Sequence, residues 1–316
     1  MTRAVRIAAL CGVWLVGWAG AGAPAQGATG ESSASKRPVY KTADELREGC
    51  ARYLKPMDPG EAKARPYHDY LLFVVPYLDS ENVELRDAAA DILAQVFRLR
   101  RHVPASAFSK YLSRDYPLNV RVVALAHSLY GARANKGEMS TYVERRAAME
   151  EAWTETLNDI AESPVTPANF DLLVFALMIR HDCLTLVKPE NQPVMVRRLL
   201  AVVSGASWDD RQRAMPLICC YPADTVAREV VAWYRVQPDA HVRAVCVDWI
   251  GKLAGGVSFS LDDKPLSVDE LKALLPVFEL AVQDPDPEIA KRARESLEKA
   301  EAFLEKKKAL SEEDGR

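Results

Sequence analysis

YLLFVVPYLDSENVELRDAAADILAQVF, residues 70–97, divides into two apolar stretches around a polar turn. The first stretch closes at Leu78, Asp79, Ser80 and Asn82 make the turn, and the second stretch opens at Leu85 and Arg86. Leu85, Ala88, Ala89, Ile92, Leu93 and Val96 recur at three- and four-residue intervals, the period of one helical face, so a helix is expected over residues 83–98. A lone pair of helices could not cover such a stripe, which therefore needs neighbours of the same kind.

The chain supplies them. ASAFSKYLSRDYPLNVRVVALAHSLY, residues 105–130, repeats the layout with a turn at Asp115 and Pro117 and a second helix opening at Val120-Arg121, 35 residues after Leu85-Arg86. YRVQPDAHVRAVCVDWIGKL, residues 234–253, turns at Pro238-Asp239 and opens its second helix at Val242-Arg243. LKALLPVFELAVQDPDPEIAKRARESLEKA, residues 271–300, turns at DPDP and buries Ile289, Ala293 and Leu297, with Ala290 where the others carry Arg. A period between 20 and 50 residues is the mark of a solenoid.

These four segments, over about residues 65–130 and 222–300, resemble the HEAT-repeat family of armadillo-like α-solenoids. The resemblance implies an all-α superhelix of helical hairpins, here a right-handed array of six or seven, and it implies a fold without an activity. It also implies a polar ladder between successive units, formed by a turn Asp and the Arg that starts the second helix. The matching positions are Asp79 with Arg86, Asp115 with Arg121, and Asp239 with Arg243. Only Asp115 and Arg121 keep a six-residue separation; the other two pairs are seven and four apart.

Between the clear copies the repeat blurs. Residues 138–163 read as one long helix that bridges two sub-arrays, with Trp153, Leu157 and Ile160 on its apolar side. Further helices are expected at 166–180, 192–204, 208–221 and 223–236, each bounded by Pro, Ser, Asn or Gly. Residues 255–265 read as a loop, and 310–316 as a tail after a charged helix. The solenoid is expected to span 39–309.

Ahead of it, Arg3 and Arg6, the apolar run 7–18 and Ala23-Pro24-Ala25 have the composition of a secretory signal peptide over residues 1–25. QGATGESSASKRP, residues 26–38, reads as a disordered lead-in. The expectation is an exported protein, periplasmic or extracellular, with no membrane-spanning segment after cleavage. Loss of two arginines and no acid would take the formal net charge from -3 to -5, which gives no drive toward nucleic acid. Cys50, Cys183, Cys219, Cys220 and Cys246 would remain, an odd number, and are expected as buried thiols, with a bond from Cys219 or Cys220 to Cys246 as the alternative.

Chemistry-bearing motifs are sparse. The histidines at 68, 102, 127, 181 and 241 have no metal-ligand spacing, and His181-Asp182-Cys183 points its side chains in different directions. Asp209-Asp210, Asp262-Asp263 and Asp284 with Asp286 lie where caps and turns need acceptors. No nucleotide, nucleophile or cofactor motif is present, and no cofactor, metal or small-molecule substrate is expected. The basic run Arg98, Arg100, Arg101 and His102 is a candidate partner site at a helix C-terminus. The function these features favour is a non-enzymatic scaffold whose concave surface binds another protein or a cell-envelope component. The competing reading is a helical-toroid enzyme acting on a glycan through loop carboxylates.

Overall fold

The computed structural model of the protein describes residues 39–51, 54, 72–98, 107–131, 139–163, 167–179, 181–205, 208–255 and 266–314. The expected signal peptide and lead-in, Arg100, Arg101 and His102, the run from Pro66 to residue 71 and nearly all of the 255–265 loop lie outside them. Packing divides the chain into Met1–Val39 and Tyr40–Arg316.

Among the described residues there are eleven α-helices and no strand. In chain order they are α1 (Ala43–Cys50), α2 (Val83–Arg98), α3 (Leu118–Gly131), α4 (Met139–Glu162), α5 (Pro167–Ile179), α6 (Gln192–Gly205), α7 (Trp208–Ile218), α8 (Ala223–Tyr234), α9 (Ala240–Ala254), α10 (Val268–Ala281) and α11 (Pro287–Asp314). Their packing makes two rows. One runs α2, α3, α5, α7, α9, α11, each helix against the next, and the other runs α4, α6, α8, α10. Hairpins α6/α7 and α10/α11 tie the rows together, as a HEAT-like array requires.

In the first two hairpins the described part of each first member, residues 72–79 and 107–112, is not α-helical. Where α-helical first members are expected, the structure has 3₁₀ turns at Val75–Asp79 and Ser109–Leu112. Pro76 is the second residue of the first of them, and both are closed by short-range bonds, Tyr77 N–H to the Val74 carbonyl and Tyr111 N–H to that of Phe108, each 3.0 Å. The long helix expected over 138–163 is α4, which packs on α3 and on α6. Its 24 residues make it about 36 Å long. At the other end α11 carries helix through Asp314, so residues 310–314 of the expected tail are helical.

Local chemistry sets where helices begin. Thr42 and Ser267 form capping boxes with Glu45 and Glu270 at the starts of α1 and α10. The Asn82 side chain accepts from the Glu84 and Leu85 N–H groups at 3.0 and 3.2 Å, Asp239 caps α9, and Asp286 accepts from Glu288 and Ile289. At the N-terminal edge the Tyr40 ring lies so close to Gly49 that a Cβ there would stand 2.2 Å from its hydroxyl, while the Tyr40 N–H donates to the Tyr77 hydroxyl at 2.8 Å. Only glycine admits that approach.

One apolar core extends from Ala43 to Ala300, with a smaller cluster of Tyr234, Val247, Ala281, Ile289 and Ala293 beside it. The stripe read from residues 83–98 is buried as expected: Leu85, Ala88, Ala89, Ile92, Leu93 and Val96 all face inward. Helix α3 behaves differently, because every residue from Val120 to Leu129 is buried. It is covered on all sides, and α2 packs against α5 as well as against α3. A helix this apolar, whose polar Arg121, His127 and Ser128 find partners inside the array, belongs in the interior. No described helix is long and apolar enough to cross a membrane.

Candidate binding surface

Two ion pairs reach from one unit to the next, the one at Asp284 buried and the one at Asp159 partly so. Arg243, at the start of α9, places Nε 2.7 Å and Nη2 3.0 Å from the two carboxylate oxygens of Asp284, 41 residues later, and donates through Nη1 to the Gln237 and Pro238 carbonyls at 2.9 Å. The Asp284 side chain is 0 % exposed, and it also accepts from the Tyr234 hydroxyl and, at 2.9 Å, from the Asp286 N–H. Burial alone would raise the Asp284 pKa, but these donors outweigh it and hold the carboxyl below its ordinary value. Burial, and the hydrogen bond to Asp284, push the Tyr234 hydroxyl up.

The second rung has the same form. Arg121, at the start of α3, reaches Asp159 of α4 at 2.5 Å, 38 residues ahead, and also donates to the Leu112 carbonyl and Thr156 hydroxyl, both at 3.2 Å. Arg114 closes on the other Asp159 oxygen at 2.9 Å. Burial would raise the Asp159 pKa, and the two arginines bring it below the usual carboxylate range.

Of the six positions carried over from the repeat resemblance, Arg121 and Arg243 form rungs. Their acids are Asp159 and Asp284. Asp115 accepts from the Ser113 hydroxyl at 2.9 Å, and Asp239 caps its own helix and stands 3.6 Å from Arg211. Asp79 faces the next unit and accepts from Lys110 at 2.5 Å, Tyr116 at 2.8 Å and Tyr111 at 2.9 Å. Those donors overcome its burial and lower its pKa, while burial and the bond to Asp79 push the Tyr111 hydroxyl up to about 12. Arg86 keeps its Nε buried without a hydrogen-bond partner. Reading one whole unit forward, rather than six residues back, would have found the rung acids.

Other polar side chains knit hairpins together. Asn158 of α4 accepts from the Lys188 N–H at 2.9 Å and the Asn191 side chain at 3.1 Å, and donates to the Leu186 carbonyl at 3.3 Å. Two indoles donate to serine hydroxyls of the preceding unit, Trp153 to Ser128 at 2.9 Å and Trp233 to Ser204 at 2.8 Å. His127 stacks on Phe108 with centroids 4.4 Å apart, meets Phe97 edge-on at 4.9 Å, and has Nε2 3.1 Å from the Leu93 carbonyl. It is a core residue.

None of the five described cysteines forms a disulfide, Cys220 donates through Sγ to the Pro216 carbonyl at 3.3 Å, and all but Cys220 are buried. Burial raises the Cys219 thiol well above its ordinary pKa and pushes Cys220 and Cys246 up to about 12, so these three remain protonated at neutral pH. The side chains of His181 and Asp182 lie outside the described residues. Among the described residues no group of three potential ligands could hold a metal.

Outward-facing polar residues gather on α7, α9 and α11, the last three helices of the longer row. Gln212 of α7 accepts from the indole N–H of half-buried Trp249 at 3.0 Å, and the Lys252 ammonium lies 4.3 Å from that ring's centroid. On the far side Asp248 pairs with Arg292 at 3.1 Å, which also holds Glu288 at 3.3 Å. The α9 backbone at Gly251 lies against the Ser296 side chain of α11, where a Cβ would be 2.7 Å from the hydroxyl. Arg98 ends α2, with its side chain outside the described residues.

No family model matches the chain, and no curated protein matches it. Among solved structures it is similar to an engineered protein, at 15 % identity over 73 % of this chain and 96 % of the other, TM-score 0.42. It is also similar to a designed armadillo repeat protein, at 17 % identity over 73 % and 99 %, TM-score 0.40. A further designed armadillo repeat protein, in complex with the peptide (KR)4, matches at 17 % identity over 73 % and 100 %, TM-score 0.39. The two rows of packed helices, by themselves, make the fold of this chain an armadillo/HEAT-like helical repeat.

Proposed function

We propose that the chain is a non-enzymatic scaffold, exported by its N-terminal segment, that binds another protein or a cell-envelope component through the face formed by α7, α9 and α11. The observation that carries this reading is the outward display of Gln212, Trp249, Lys252, Asp248 and Arg292 across three adjacent helices. Stacked units create such extended surfaces. Among the described carboxylates at turns, Asp284 is engaged in a rung and Asp239 and Asp286 at helix caps, while Asp262, Asp263 and the side chains of Asp209 and Asp210 lie outside the described residues. The basic residues Arg98, Arg100, Arg101 and His102 form a second contact in this proposal.

The test is photo-crosslinking of the full chain in its own cell envelope, with benzoylphenylalanine replacing Lys252 on α9 or Lys272 on α10. An adduct specific to position 252, competed by unlabelled protein, is the expected outcome. Equal adducts at both positions, or none at 252, would overturn the assignment of the face. Detection of the chain with its N-terminal segment intact in the cytoplasmic fraction would overturn export.

A further inference from the structure

We draw no further inference here: the strongest candidate, half-buried Trp249 beside Gln212 and Lys252 on the outward face of α7 and α9, belongs to the surface already described, and with Lys252 over its ring and its flank packed on the core nothing in the structure shows what would cover it.

Discussion

Asp284 carries a charge in a fully buried position because Arg243 meets both of its oxygens and Tyr234 and the Asp286 N–H supply further donors. Removing one member leaves the other unpaired, which costs about 3–5 kcal/mol for a buried pair. Arg243→Met is therefore expected to lower the urea-unfolding free energy by that amount, and the triple change Arg243→Met, Asp284→Leu, Tyr234→Phe to recover most of it. A triple variant as weak as the single one would show that packing, not the stranded charge, sets the loss. The pH dependence follows from the lowered pKa values of Asp284 and Asp159. Their stabilisation is complete above the unfolded carboxylate value of about 4 and is lost as pH falls through the lower folded values. Thermal midpoints should stay level above about pH 5 and drop below about pH 4, with a shallower acid limb in Asp284→Asn. The arginines of these rungs were legible because each opens an apolar stripe. Their acids were not, since Asp159 lies inside a helix and Asp284 reads equally well as a turn acceptor, a role it also fills.

At the scale of elements, the second helices were the most legible, because their apolar spacing is regular. Residues 83–98 bound α2 as expected, and the middle helices begin within a residue of the expected starts, at Pro167, Gln192, Trp208 and Ala223. The first helices of the opening hairpins were not, because an apolar run ending near proline suits a 3₁₀ turn as well as an α-helix. Burial separates helices that periodicity would treat alike. Val123 of α3 is fully enclosed, whereas Glu298 of α11 is exposed. Val123→Asp should abolish cooperative unfolding in a circular-dichroism melt, and Glu298→Ala should shift stability by less than about 0.5 kcal/mol. Comparable effects at both positions would contradict the enclosure of α3.

Across the whole Tyr40–Arg316 unit, a continuous core places the thiols beyond reagents. Iodoacetamide at pH 8 should leave Cys50, Cys183, Cys219 and Cys246 unmodified in the native protein and label all of them in denaturant; native labelling of Cys219 or Cys246 would refute the burial that raises their pKa. The candidate binding face was the least legible feature. Trp249 has the same place in its apolar stripe as a wholly buried residue would, and only the neighbouring Gln212 and Lys252 mark its outer edge. The contact of α2 with α5, past α3, reaches further. A linear repeat array is modular, since each unit touches only its neighbours and units can be gained or lost one at a time. Here the amino-terminal hairpins close on one another, so a unit inserted or deleted between α2 and α5 would separate surfaces that meet across the gap. A unit added or removed there is therefore expected to break a helix-skipping contact, whereas from α5 to α11 each helix of that row packs on its nearest neighbours.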